Sequence, residues 1–298
     1  MMSKRFASIA VSLSCLAATL TGATVARAQD DKPPAREALR VCLDPNNAPF
    51  SMADGNGIEN RIAQLFGKAM GLPVTFYMFP QRMNFIRNTL KYKLPGSDYP
   101  CDIVMGVPVG FDQVAVTKPY YRSTYALVFA QGKGLDQVKT GDDFLALDAA
   151  KLHKLRIGLY DQGPGSDWVN RHHLIDQTVP FHMMNANPNE YPGEVIEKAL
   201  ASGQIDVALV WGPMGGYFAQ RVKSPTLKVV PLKSEPGIQF DYEMAMGVRY
   251  GEPEWKQQIN QLIDSQNDGI QAILKEFGVP VVDESFSAPK TGKKVADK

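Results

Sequence analysis

The stretch Cys101-Asp102-Ile103-Val104-Met105-Gly106-Val107-Pro108, followed by Thr117-Lys118-Pro119-Tyr120-Tyr121-Arg122-Ser123-Thr124-Tyr125, decides the fold. The first part is a short apolar run of the kind that forms a parallel strand buried on both faces. The second part predicts a loop at that strand's carboxyl end and then a strand that leaves for another lobe. In open α/β sheets ligands sit beyond the carboxyl ends of the strands, and in a two-lobed molecule that edge faces the cleft between the lobes. Capture of a small group, or docking by means of such a cleft, is the first expectation, and catalysis has to be argued from residues of its own.

Outward from this stretch, short strand-like runs alternate with helical patterns. Leu39–Leu43, Val74–Phe79 and Cys101–Met105 read as strands, and Ile58–Met70 and Asn84–Tyr92 as helices. The first helix repeats Ile58, Ile62, Leu65, Phe66, Ala69 and Met70 on one face and stops at Gly71. A second series follows the strand 121–130: a short helix near 141–149, strand 155–160, helix 166–176, strand 179–184, helix 190–202, strand 205–210 and helix 213–221. Phe240–Arg249 then reads as a strand returning to the first lobe, and Pro253–Phe277 as one long closing helix. Such alternation builds βαβ units. The expected organisation is a first lobe of 39–122 with 240–282, a second lobe of 123–239 inserted into it, and a Lys-rich, aromatic-poor tail over 283–298 that cannot bury enough to order itself.

At the amino end, Lys4 and Arg5 precede an apolar run from Phe6 to about Leu20, and Ala26-Arg27-Ala28 fits the small-x-small pattern of a cleaved signal. Residues 1–28 are expected to be removed on secretion to the periplasm, Cys15 with them, and 29–38 to form a mobile leader. The remaining 270 residues carry 29 basic against 31 acidic side chains, a net charge of −2 that does not favour nucleic acid. A hydrophobic fraction of 44% supports substantial cores in one or two lobes. No later segment is long and apolar enough to span a bilayer. Two cysteines remain, Cys42 and Cys101, an even count in a disulfide-permissive compartment.

Four pieces carry a more specific signal: Leu39-Arg40-Val41-Cys42-Leu43-Asp44-Pro45-Asn46-Asn47-Ala48-Pro49-Phe50-Ser51, Phe79-Pro80-Gln81-Arg82, Asp102-Ile103-Val104-Met105-Gly106-Val107-Pro108 and Pro119-Tyr120-Tyr121-Arg122-Ser123-Thr124-Tyr125. They resemble the MxaJ/XoxJ family, periplasmic solute-binding-like proteins associated with pyrroloquinoline-quinone (PQQ) methanol dehydrogenases of methylotrophic bacteria. The XoxJ branch, associated with lanthanide-dependent enzymes, resembles the chain most. The resemblance runs from about Leu39 to Pro280. It implies a type II periplasmic-binding-protein fold, α/β and bilobal, with two parallel-rich sheets and a central cleft. It implies a methanol dehydrogenase as partner and no cofactor. Because the first and third strands of the first lobe are neighbours in the usual order of this fold, Cys42 and Cys101 are expected to be bonded.

In amino-acid-binding relatives of the fold, an arginine four residues before a valine clamps the ligand carboxylate; counting back from Val114 gives Gly110. The acidic partner for an amino group follows the strand that here ends at Val210, and Trp211-Gly212-Pro213 stands there. A free amino acid is therefore not the expected ligand. The cleft edge is expected to carry Asp44, Asn46, Asn47, Phe50, Phe79, Gln81, Arg82, Tyr120, Tyr121, Arg122 and Trp211, an aromatic-rich set that suits a weakly polar ligand or a protruding protein segment. For Tyr120 and Tyr121 the competing reading is a wedge at the hinge, and for Asn46 and Asn47 a simple turn.

Gly163-Pro164-Gly165-Ser166 puts a glycine turn before a helix, with Ser166 as cap or as an anion contact. Asp54-Gly55-Asn56-Gly57-Ile58-Glu59-Asn60 lacks the alternating oxygen ligands of a calcium loop. His153, His172, His173 and His182 have no metal spacing, and the adjacent pair points two ways on a helix. No nucleophile elbow, Cys-x-x-Cys or His-Glu-x-x-His is present. With no catalytic constellation and no metal set, two functional classes stand: the non-enzymatic accessory protein of methanol oxidation that the resemblance implies, and a receptor delivering a small solute to an ABC transporter.

Overall fold

A computed structural model describes residues 36–81, 84–182 and 190–288. The signal segment expected at 1–28, Arg82, and the end of the tail lie outside them. The chain runs β1 (Leu39–Leu43), β2 (Asn46–Asn47), β3 (Ser51–Met52), α1 (Ile58–Met70), β4 (Val74–Met78), α2 (Phe85–Asn88), β5 (Ile103–Pro108), β6 (Ala115–Val116) and β7 (Tyr121–Ala130). It continues through α3 (Gly141–Leu145), α4 (Ala149–Leu152), β8 (Ile157–Tyr160), α5 (Pro164–Arg171), β9 (Thr178–Phe181), α6 (Glu194–Ser202), β10 (Val207–Trp211), α7 (Gly212–Arg221) and β11 (Leu227–Pro231). It closes with β12 (Asp241–Val248), α8 (Pro253–Ser265) and α9 (Asn267–Glu276).

The strands form one hydrogen-bonded path in the order β4-β1-β5-β12-β7-β10-β8-β9, with β6 on β12 and β11 on β7. The pairs β1·β4, β1·β5, β8·β9 and β8·β10 are parallel. Strand β7 joins the halves: Tyr121–Thr124 pair antiparallel with Met244–Asp241 of β12, and from Tyr125 onward β7 pairs with β10 and β11. Each half has its own core. One gathers Val41 of β1 with Ile62, Phe66, Met246, Trp255, Ile259 and Leu274; the other gathers Leu127, Phe129, Phe144, Ile157, Trp168, Leu209 and Phe240.

The first half is stapled twice. Cys42 and Cys101 form a disulfide with Cα atoms 5.3 Å apart, closing a separation of 59 residues; by loop entropy that is worth about 4 kcal/mol. Beside it Asp102, fully buried, accepts from Arg40 Nε at 2.6 Å and Nη2 at 3.0 Å and from Arg249 Nη2, with Arg36 Nη1 at 2.9 Å. Burial alone raises a carboxyl pKa, but the bonds from Arg40 and Arg249 and the nearby Arg36 outweigh it and hold Asp102 below its ordinary value. Arg36, placed by sequence in the leader, is thus anchored, and its guanidinium lies 4.1 Å from the Trp255 ring centroid.

Several sequence expectations are corrected. The helix expected over 84–92 is helical only at Phe85–Asn88, because Thr89 leaves the helical region (φ −125°, ψ −89°). The helix expected from Glu190 starts at Glu194, after Pro192 and Gly193. The long closing helix breaks at Gln266 (φ −108°, ψ 13°), which turns α9 so that Gly269 lies against Leu65 of α1. The described part of the tail, 283–288, is bonded to the fold: Asp283 accepts from Ser285 N at 2.9 Å to cap a helical turn at Glu284–Phe286, and Ser287 Oγ donates to Asp241 at 2.6 Å.

Candidate binding cleft

The first half presents the loop that follows β1. Asp44 takes Asn46 N at 2.8 Å on one oxygen and Gln81 N on the other, so its charge is spent on folding the loop. Asn47 Nδ2 donates to Gln81 Oε1 at 2.6 Å, tying this loop to the one after β4. Phe79 packs beside Phe85, ring centroids 6.5 Å apart, over the cluster around the disulfide. Asn46, Asn47, Phe50 and Phe79 are half-buried and Gln81 is exposed.

From the second half comes an apolar seat for this loop. Ala48, 5% exposed, belongs to a cluster with Tyr160, Tyr191, Ile196, Val210, Met214 and Phe218, and Phe50 and Met52 pack against the same cluster. Ser166 is not the cap of α5; Gly163, at φ 119°, holds that position, and Ser166 Oγ donates to Tyr160 O at 3.0 Å. Tyr160 in turn donates to Pro192 O at 2.7 Å. Burial pushes the Tyr160 phenol up, with a smaller contribution from Tyr125, and pushes Tyr125 up to about 12, so both remain hydrogen-bond donors. Tyr191 Oη, Ser51 Oγ and Asn60 Nδ2 are buried without a partner among the described residues.

Trp211, at the end of β10, touches both halves. Its ring meets Tyr125 at 5.5 Å and Tyr242 of β12 at 5.8 Å, both edge-on, and it packs against the core of the first half as well as the Ala48 cluster.

Three expected cleft residues lie elsewhere. Tyr120 and Tyr121, 4% and 6% exposed, are core residues of the first half with ring centroids 4.9 Å apart and edge-on, because their rings bury more area among Met105, Met244 and the other apolar side chains of that core than they would at an open rim. Arg122 is drawn to carboxylates at the strand crossing, bonding Asp241 at 2.6 Å and Ser287 at 3.0 Å and pairing with Glu243 at 3.0 Å. These line an open cavity of about 510 Å³ beside Tyr242 and Gln239.

The sequence put Glu59 in the first turn of the helix expected at Ile58–Met70 and gave it no further part. Its backbone N–H bonds Phe50 O at 2.7 Å, the residue is 8% exposed, and burial, with Asp44 nearby, pushes its carboxyl up to about 8. The signal was available: three, four and seven residues after it come Ile62, Ala63 and Phe66, so it sits on the apolar face of its helix. Among the described residues no three or more His, Cys, Asp or Glu side chains gather in a way that could hold a metal ion. The cleft chemistry is that of aromatic rings, amides and neutral hydroxyls.

No family model matches the chain. The protein MoxJ of Methylorubrum extorquens is 28% identical over 299 residues, 92% of this chain and 95% of its own length. Among solved structures, the periplasmic binding protein XoxJ from Methylobacterium extorquens AM1 is 31% identical with a TM-score of 0.67, covering 83% of this chain and 100% of its own. The chain belongs to the MxaJ/XoxJ family. MxaJ from Methlophaga aminisulfidivorans MPT, 23% identical over 82% of this chain and 100% of its own with a TM-score of 0.68, shares the fold. This MxaJ/XoxJ protein therefore has the bilobal type II periplasmic-binding-protein architecture. Within it Gly110, in the loop after β5, offers no side chain to a carboxylate, and Trp211 ends β10 between the rings of Tyr125 and Tyr242.

Proposed function

We propose that this MxaJ/XoxJ protein is a non-enzymatic periplasmic accessory protein of methanol oxidation, whose cleft rim engages a PQQ methanol dehydrogenase of the lanthanide-dependent kind. The relatives MoxJ and XoxJ support the methanol-oxidation setting, and the greater identity to XoxJ supports the lanthanide branch. In this reading the lobes comprise 39–122 with 240–282, and 123–239. The observation that carries the proposal is the seating of Ala48 and Phe50 among Tyr160, Tyr191 and Met214. The halves already touch through the cleft, so the molecule offers a formed surface rather than an open trap for a solute. Of the exposed or half-exposed groups left at that rim, Asn47, Phe79 and Gln81, the aromatic Phe79 is of the kind that anchors protein contacts.

The test is association of the mature protein with methanol dehydrogenase from its native periplasm. Phe79→Ala is expected to weaken binding about thirty-fold or more, the loss of roughly 2 kcal/mol at a contact anchor, and Lys223→Ala to leave it unchanged. Absence of binding by the wild-type protein overturns the proposal. Wild-type affinity in a folded Phe79→Ala variant moves the interface off the cleft.

A further inference from the structure

The segment after α9 crosses the hinge on its way out of the first half. Val279 is buried in the first core. Ser123 Oγ of β7 donates to Pro280 O at 2.8 Å, Val281 forms an antiparallel bridge with Ser123, and Val282 N donates to Arg122 O at 3.0 Å. Beyond the crossing, Ser234 N donates to Phe286 O at 2.8 Å, and Ser287 Oγ bonds the Asp241 carboxylate that Arg122 also grips.

The same segment lies on α7, a helix of the opposite half. A Cβ on Gly216 would collide with the Gly278 carbonyl, so glycine there lets the backbone of one half rest on a helix of the other; one on Gly212 would meet Thr124 O and the Pro280 ring. Two crossing strands alone permit the bending that opens and closes a bilobal cleft. Here a third segment is bonded to one crossing strand, latched to the other and packed on the far half.

We propose that Pro280–Ser287 is a third hinge strand that locks the two halves in a fixed relative orientation. The lock is independent of which partner or ligand the cleft meets.

The test places spin labels at Lys68→Cys and Lys154→Cys, exposed positions in the two halves, and reads the distance distribution in the otherwise intact chain. A single narrow distribution is expected. A chain ending at Val282 is expected to show a broadened distribution, and in Ser287→Ala the amides of 122–124 and 241–243 are expected to exchange at least about tenfold faster, since local opening sets their protection. A broad distribution in the full chain, or an unchanged one in the folded truncated chain, overturns the proposal. Should the truncated chain fail to fold, exchange in Ser287→Ala decides, and wild-type protection there overturns it equally.

Discussion

The Glu59 carboxyl lies over Gly106 in the middle of β5, so close that a Cβ on Gly106 would meet Glu59 Oε1 at 2.6 Å. Asp44, Tyr120 and Tyr121 are its charged or ionisable neighbours, and none supplies a positive charge. The folded protein therefore keeps this carboxyl protonated up to about pH 8, whereas the unfolded chain releases the proton near 4.5. Stability from this group is full below about pH 4.5, declines as pH rises and is gone above about 8. Glu59→Gln is expected to flatten that decline and to melt higher than the wild type at pH 9, by on the order of a few kcal/mol. Parallel melting curves for the two proteins from pH 5 to 9 would refute this.

Asp102→Ala is expected to cost about 3–5 kcal/mol, because it leaves Arg249, itself buried, and the neighbouring Arg40 without the charge that brings them together. Arg36→Ala, at the exposed margin of the same cluster, is expected to cost under about 1 kcal/mol. Denaturant midpoints at constant slope measure both. Equal losses in the two variants would mean that the buried carboxylate does not organise the cluster.

Free amino acids are expected to leave the melting temperature unchanged. A ligand at a hundred times its dissociation constant adds about 2.7 kcal/mol, a shift easily seen. Gly110 supplies no guanidinium, and where the sequence comparison expects an acidic partner the chain has Trp211, its ring held by Tyr125 and Tyr242. A saturable rise with any α-amino acid would restore the solute-receptor reading.

Where burial and periodicity agree, the sequence is a reliable guide. Ile58–Met70 is marked by an apolar stripe and the left-handed Gly71, and Tyr121–Ala130 by a continuous apolar run, Ala126–Phe129, that the sheet buries on both faces. It fails where a distant contact decides. Nothing local forces the break at Gln266, which places Gly269 on Leu65, far earlier in the chain. Strand β11, five residues with a lysine and a terminal proline, has too little pattern to stand out, yet its whole length pairs with β7. Of the residues that the sequence proposes for the cleft, some gather in space and others do not. Asp44, Asn47 and Gln81 converge on one loop pair, and Phe50 and Trp211 on one apolar cluster. Tyr120 and Tyr121 turn to the core instead, because an aromatic pair beside a hinge reads alike whether it faces inward or outward.

The pairing of Asp102 with Arg249 spans 147 residues, and that distance imposes an order of assembly. The core of the half that holds β8 and β10 is drawn from one continuous piece of chain between Tyr125 and Phe240 and can condense on local contacts. The half that holds β1 waits for β12 and Arg249 to arrive before its buried carboxylate has all its partners. Contacts of such separation are slow to form, so during refolding the nested half should gain protection first and the enclosing half should set the overall rate.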